Sequence, residues 1–249
     1  MRITIPAFIL PRAAIKDFAP MTLPPADLDA LFAARHSCRA FRPDPVPRDV
    51  IEQIIATAQR VPSWCNAQPW GITVTSGAET DRFRAALMAE VTSGAPKPDM
   101  EKPDMDFPTA YTGPYQERRR TCGWQLYDAV GVEKGDRAGS ARQMMQNFSL
   151  FSAPHCVILS SPADLGAYGA MDCGGFVTGF CLAAQAQGVA SVAQAAVASY
   201  APFLHRHFDI GDDRLILCAI SFGYEDTEHP ANKFRTTRAE QDAFVDWRG

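Results

Sequence analysis

The sequence predicts an α+β fold in which helices cover both faces of a small mixed sheet. Three observations carry this expectation. Segments of helical and extended periodicity alternate irregularly along the chain. The extended segments number only about four or five, which argues for helices packed on both faces of one mixed sheet. No shift of composition, linker or internal repeat divides the 249 residues, so one domain spanning 1–249 is expected.

The elements follow in order. Ala26 to Arg35 carries Leu28, Leu31 and Phe32 at helical spacing behind Pro24-Pro25, which predicts a short helix. Pro47 opens a second helix with Asp49 in its first turn. Val50, Ile51, Ile54, Ile55 and Ala58 form its apolar stripe, and Pro62 ends it. Trp70 to Ser76 alternates and is rich in β-branched residues, hence a strand. Thr80 to Val91 returns to helical period through Phe83 and Leu87. Gly94 to Pro114 is proline-rich and poor in apolar residues, which predicts a long loop opening an excursion that reaches about Gly139. Within it, Tyr115 to Val130 reads as a helix bearing Trp124 and Tyr127.

A helix over Gly139 to Phe151 precedes Pro154 and the strand His155 to Ser160. Asp172 to Gln187 is a helix whose many small residues call for close helix contact, and Gly188 ends it. An extended run from Val189 to Ala196, a short helix around Phe203 and a strand from Arg214 to Phe222 complete the pattern.

Composition excludes several functions. A net charge of −4 without a long basic run gives no general attraction to nucleic acid, and Arg118-Arg119-Arg120 reads as an exposed helix face. Met1 to Leu10 is too short for a membrane span and lacks a signal-peptide cleavage site. Seven scattered cysteines with no C-x-x-C pair argue against disulfides or zinc and for reduced thiols in the cytoplasm. No nucleophile elbow, phosphate loop or H-E-x-x-H helix occurs, and Gly174 to Gly179 lacks dinucleotide-fingerprint spacing. His205 and His207 read as part of a surface helix, not a metal site.

Three separated clusters concentrate polar chemistry. In Arg35-His36-Ser37-Cys38-Arg39, a helical turn would bring the two guanidinium groups to one side with the Ser37 hydroxyl, a set suited to a phosphate. In Pro62-Ser63-Trp64-Cys65-Asn66-Ala67-Gln68-Pro69-Trp70, Asn66 and Gln68 offer paired donors and acceptors at the end of a helix. In Asn232-Lys233-Phe234-Arg235, the two cations would face one way along an extended chain. Each has an ordinary alternative: a charged helix end, a self-bonded turn, and solvated cations beside Glu225, Asp226 and Glu228.

Their conjunction decides between these readings. R-H-S-x-R-x-F at 35–41, P-S-x-x-N-x-Q-P-W at 62–70, N-F-x-x-F-x-A-P-H at 147–155 and K-x-R at 233–235 together resemble the FMN-dependent nitroreductase family, in the family's order, from about Leu28 to Arg238. Residues 113–132 and 223–238 are most similar to nitroarene reductases of the nitrobenzoate-reducing kind.

The resemblance implies a three-layer fold, a mixed but mainly antiparallel sheet flanked by helices, and FMN bound at a homodimer interface. It assigns Arg35, Ser37, Lys233 and Arg235, with His36 beside them, to the FMN phosphate end and Arg39 to the pyrimidine end of the flavin. Gln146 or Asn147 would supply an amide to that ring edge. Pro62, Ser63 and Asn66 would approach from the partner subunit, and backbone N–H groups of Ala195 and Ala196, at a sheet edge, would lie near flavin N5. Two departures stand out: Ala193-Gln194-Ala195-Ala196 replaces a P-x-E-G type sequence, and Ser149 stands where several members have lysine.

The implied activity is ping-pong hydride transfer from NADH or NADPH through FMN N5 to a nitroaromatic acceptor, with no catalytic side chain required. The alternatives are a quinone, an activated alkene or another small acceptor, or a flavin-binding protein for storage or redox sensing. Tyr115 and Trp124 are the expected substrate-binding residues, in an excursion over 94–139 read as a lid, the alternative being that its aromatics pack its helix against the core. Cys38 and Cys65 are expected to be buried as small hydrophobes.

Overall fold

The structure is a computed structural model that describes residues 23–93 and 102–249. The segment Met1 to Leu10 and residues 94–101 of the proline-rich loop lie outside the described residues.

Four strands, β1 (Gly71–Ser76), β2 (His155–Pro162), β3 (Ala190–Gln194) and β4 (Arg214–Gly223), form one sheet in the order β1-β2-β4-β3. All three strand pairings are antiparallel, with a register shift between Leu159 and Ser160. The parallel component is an isolated bridge from Ser37 to Ser191 on the edge strand β3. β2 and β4 are central, so their residues are covered on both faces and read as near-continuous apolar runs.

The period of two in β2 sorts its side chains between two cores. Val157 and Leu159 point to one face, where they meet Ile51, Ile54 and Ala58 of α2 (Arg48–Ala58) and Phe176 and Phe180 of α6 (Gly166–Ala186). Cys156 and Ile158 point to the other, packing with Phe83 and Leu87 of α3 (Ala78–Thr92), Val197 of α7 (Ala195–Ala198) and Leu204 of α8 (Ala201–Phe208). The result is the expected three layers. The close contact anticipated from the small residues of α6 occurs at Gly179, where an added Cβ would stand 2.7 Å from Val61 and 3.3 Å from the Ala58 carbonyl.

Several boundaries differ from the sequence pattern. The helix expected to run to Phe151 is α5 (Arg137–Met145), which stops at Gln146. Leu150, Phe151 and Ser152 then take positive φ angles of 56°, 52° and 62°. Leu150 and Phe151 enter different cores, which one helical face does not permit. Arg84 of α3 holds this turn by donating to the Ser149 and Ala153 carbonyls at 3.0 and 2.5 Å. α6 begins at Gly166 instead of Asp172, and the run expected to stay extended through Ala196 ends at Gln194. Ala195 and Ala196 open α7 instead, since alanine has little strand preference of its own.

Within the excursion, the expected helix is α4 (Gly113–Ala129). The loop before it is anchored by Asp104, whose Oδ2 accepts the Ile216 backbone N–H at 2.7 Å and His205 Nε2–H at 2.9 Å. His205 Nδ1 lies 2.8 Å from the Ile210 carbonyl, so both ring nitrogens face acceptors. His205 is thus a docking residue of α8. No group of three metal-ligating side chains occurs among the described residues.

Burial opposes the charged form of His205, but the Ile210 carbonyl and Asp104 raise its pKa above the ordinary value of 6.5. A raised folded-state value means that this anchor contributes fully below 6.5 and is lost as pH rises through the raised value. Urea midpoints followed between about pH 5 and 8 should therefore decline for the native chain relative to His205→Gln. Parallel profiles for the two proteins would remove this assignment.

Candidate functional site

α1 (Pro25–Ala34) ends at Arg35, whose extended φ and ψ of −66° and 122° turn the chain away from the helix. The next residues do not form the helical turn expected to align Arg35 with Arg39. They run extended beside β3, pinned by the Ser37–Ser191 bridge and by the Cys38 N–H donating to the Ser191 carbonyl at 3.1 Å. Extended backbone alternates its side chains. Cys38 goes inward, fully buried, while Ser37 and Arg39 face a cavity on the other side.

That cavity, of about 730 Å³, is lined by Phe32, Ala33, Arg35, His36, Ser37, Arg39, Cys122, Phe234, Arg235, Thr236 and Arg238. No carboxylate lines it, and four arginines do. None of Arg35, Arg39, Arg235 and Arg238 is ion-paired among the described residues, whereas Arg42, Arg48, Arg82 and Arg84 each hold a carboxylate. Guanidinium groups left without acids around a concave space, with a hydroxyl beside them, form a donor set for an anion such as a phosphate.

Asn232 holds the two halves of this wall together. Its side chain is almost completely buried, accepts the Arg39 N–H at 2.7 Å, and donates to the Ala40 and Asp226 carbonyls, each at 2.9 Å. Arg39 lies 5.7 Å from the centre of the Phe234 ring, and burial lowers its pKa from the usual guanidinium value. An arginine so shifted remains a cation at neutral pH. Arg235 donates to the Asn232 and Phe234 carbonyls at 2.7 and 2.9 Å, which orients it along the same wall. His36 stands between the Glu225 carboxylate at 3.0 Å and the Ala34 carbonyl at 3.1 Å.

Lys233 is not brought into this cavity. It follows a 3-10 turn over Pro230–Asn232 and reaches Glu228 at 3.3 Å on the exposed side, because the segment is not extended at that point. Arg238 takes a place on the wall that the sequence pattern did not single out. Arg39 also lines a second cavity of about 610 Å³, together with Gln146, Phe41, Phe151 and His229. Beside it, the Asn147 carbonyl accepts Gln194 Nε2–H at 2.8 Å, and the Gln194 Oε1 accepts Ser221 Oγ–H at 2.5 Å. Buried Gln194 thereby sets Asn147 next to the first residues of α7, Ala195 and Ala196.

Pro62, Ser63 and Asn66 lie elsewhere, lining neither cavity. They belong to a turn containing the 3-10 segment Trp64–Asn66, in which Cys65, Asn66 and Gln68 have positive φ angles of 50°, 55° and 50°. Ser63 Oγ accepts the Gln68 N–H at 2.9 Å, and both carboxylate oxygens of Asp172 accept the Trp64 N–H at 3.1 and 3.0 Å. Asp172, on the buried side of α6, carries no motif signal in the sequence. Trp64 packs 5.1 Å from Tyr168, and both rings are more than half exposed.

The cysteines divide. Burial pushes the Cys38 thiol up to about 12, which keeps it protonated and unreactive. Cys65, expected to be buried, is exposed because its left-handed turn points away from the core. In the excursion, Tyr115 is 67% exposed beneath Arg118, and Trp124 lines a separate surface hollow with Val132 and Lys134. Neither lines the arginine-rich cavity, to which α4 contributes Cys122 instead.

Comparison with known proteins places the chain among relatives of one family. The family model described as Nitroreductase family matches residues 32–224. The 4-nitrobenzoate reductase of Pseudomonas putida is 31% identical over 229 residues, 92% of this chain and 99% of that protein. Nitroreductase NfnB of Mycolicibacterium smegmatis is 34% identical over 214 residues, 85% of this chain and 88% of its own. Among solved structures, the FMN-dependent nitroreductase NfnB from Mycobacterium smegmatis in complex with NADPH superposes with a TM-score of 0.84 at 30% identity, covering 90% of this chain and 99% of that one. The FMN- and NADPH-dependent NfnB of a Sphigopyxis strain gives the same TM-score at 31% identity, covering 89% and 98%. The family match over residues 32–224 and the likeness over most of the chain lead to one assignment: the chain belongs to the nitroreductase family.

Proposed function

We propose that the protein is an FMN-dependent NAD(P)H oxidoreductase that reduces nitroaromatic compounds. The observation that carries this reading is the carboxylate-free cavity whose arginines are left without acid partners and whose wall continues, through Arg39, into a second cavity. Its donor set fits the FMN phosphate, with Arg35, Arg235 and the Ser37 hydroxyl as donors and His36 held beside them by Glu225. Bound FMN would supply hydride acceptance from a reduced nicotinamide and delivery to a second partner.

The chain's own residues shape that chemistry. Arg39 sets a fixed cation at the junction of the two cavities, where it favours negative charge on a ring edge placed between them. Gln146 brings an amide to the second cavity, and Asn147 and the first N–H groups of α7 lie close by through Gln194. Lys233 would join the phosphate group only by leaving Glu228.

The reading includes a homodimer. α1 buries none of its residues, and Leu28 and Phe32 stand about half exposed. Trp64, Tyr168 and Met171 form a second exposed apolar group around the Pro62–Gln68 turn. A second copy covering these faces would bring Pro62, Ser63 and Asn66 to its partner's flavin. The excursion, through α4, roofs the arginine-lined cavity at Cys122, with Tyr115 and Trp124 beside it on the outer surface. No helix among the described residues is long and apolar enough to cross a membrane. A cytoplasmic enzyme with reduced thiols is the proposed setting.

An anaerobic titration tests the function. NADPH or NADH should bleach the bound flavin, and a nitrobenzoate should restore its colour in stoichiometric steps. Flavin left oxidised by both nucleotides would mark a binding protein, and reoxidation by a quinone but not by the nitroarene would move the acceptor class.

A further inference from the structure

A smaller cavity of about 440 Å³ adjoins the arginine-lined one, and the two share Cys122, Thr236 and Arg238 in their walls. α4 forms one side of it through Arg118, Thr121 and Gln125, and the segment after Arg235 forms the other. Glu117 is the single acid in its lining.

The charge balance of the joined space exceeds what one phosphate requires. A phosphomonoester carries about two negative charges at most. Arg35, Arg39 and Arg235 already face the larger cavity. Among the described residues, Arg238 donates within its own segment, through Nη1 to Thr236 and Thr237 oxygens at 2.9 to 3.4 Å. Arg118 lies 5.9 Å from the Tyr115 ring centre, and neither it nor Arg238 forms an ion pair among the described residues. Arg118 stands on an exposed helix face, as the sequence alone reads it, and from there its side chain borders the same cavity as Arg238.

We propose that this smaller cavity is a second anion subsite, with Arg118 and Arg238 as its cations, and that its ligand is the phosphate-bearing portion of the reduced pyridine dinucleotide. The inference rests on the proposed function, which requires a donor carrying several phosphates in a space continuous with the flavin site. The Thr121 and Thr236 hydroxyls and the Gln125 amide suit ribose hydroxyls beside those phosphates. The shared chemistry is phosphate recognition, and its source is either the bridging pyrophosphate or a 2′-phosphate.

The test uses the FMN-loaded chain as the native protein, Arg118→Ala, Arg118→Lys and Arg238→Ala. Calorimetry reads the affinity for 2′,5′-ADP and for 5′-ADP, and steady-state kinetics reads KM and kcat with NADPH and NADH. Arg118→Ala is expected to weaken 2′,5′-ADP and raise the KM for NADPH on the order of tenfold, the loss of one charge-assisted contact. The change should fall on KM more than on kcat, with partial recovery in Arg118→Lys and full FMN content. Weakening of 2′,5′-ADP alone assigns the subsite to the 2′-phosphate, and equal weakening of both probes assigns it to the pyrophosphate. Native affinity for both probes in both alanine variants overturns the proposal, as does absence of binding to the native protein. Release of FMN from Arg238→Ala together with native nucleotide affinity in Arg118→Ala also overturns it. Failure of either nucleotide to reduce the native flavin would instead strike the proposed function itself.

Discussion

Arg35→Ala and Arg235→Ala proteins are expected to leave gel filtration without their flavin, while the native chain stays yellow. Both side chains line the carboxylate-free cavity, and neither has an acid partner to release before it meets a phosphate. Removing one charge-assisted contact costs about 1.5–3 kcal/mol, or roughly 10- to 150-fold in dissociation constant. Arg235→Lys should retain part of the affinity, because an ammonium keeps the charge but not the planar fork. Fluorescence of the released flavin measures each constant directly. Lys233→Ala should have a smaller effect, since its ammonium is held on Glu228 and lies outside the cavity wall. Full retention of FMN in both arginine variants would sink the phosphate assignment.

Asp172→Ala should destabilise the protein and disturb flavin binding at once. Its carboxylate holds the Trp64 N–H with both oxygens, at the head of a turn that places three non-glycine residues at positive φ. Such conformations cost about 1–3 kcal/mol each and persist only where neighbouring groups over-determine them. Here those groups are Asp172 and the Ser63 hydroxyl that accepts the Gln68 N–H. Losing a buried charged acceptor costs about 1–3 kcal/mol, and a chain of this size loses about 2–4 °C in Tm per kcal/mol. A drop of roughly 4–8 °C is expected for a loss near 2 kcal/mol. Asp172→Asn keeps one acceptor oxygen and should fall between. If the turn meets the partner's flavin as proposed, the alanine variant should also bind FMN more weakly, even though Asp172 lines neither cavity. An unchanged Tm and unchanged flavin affinity would remove Asp172 from this role.

Much of the architecture was legible because it rests on local periodicity. α2 shows its apolar stripe at Ile51, Ile54 and Ala58, and all three are buried against the sheet. β1, β2 and β4 show β-branched or apolar runs bounded by turn residues, and they occur at the expected places. Boundaries failed where distant partners overrode local preference or where residues had little preference for the predicted state. The 150–152 turn departs from a helix because Leu150 and Phe151 are claimed by separate cores and Arg84 supplies donors to the flanking carbonyls. Ala195 and Ala196 leave the strand because nothing in two alanines resists a helical start.

The candidate site was legible in part of its membership but not in its arrangement. Arg35, Ser37, Arg39 and Arg235 were marked by residue type and order, and the fold brings all four to one cavity. Asn232 was visible as a letter in a motif, but its role required the approach of two segments 193 positions apart. Arg238, Cys122 and Asp172 had no distinguishing neighbours in the chain, so no local signal separated them from ordinary surface or helix residues.

By itself the sequence determined the α+β class and the family and marked the cations of the proposed anion site, because residue type and spacing are properties of the chain. Only the tertiary structure decided which cations share a wall, that Lys233 turns to Glu228 while Arg238 borders the cavity, and that Asp172 secures a turn on a different element. The physical reason is that these outcomes depend on side-chain direction at a junction of elements. That direction is set by packing and hydrogen bonding between residues far apart in the chain, which local pattern does not encode.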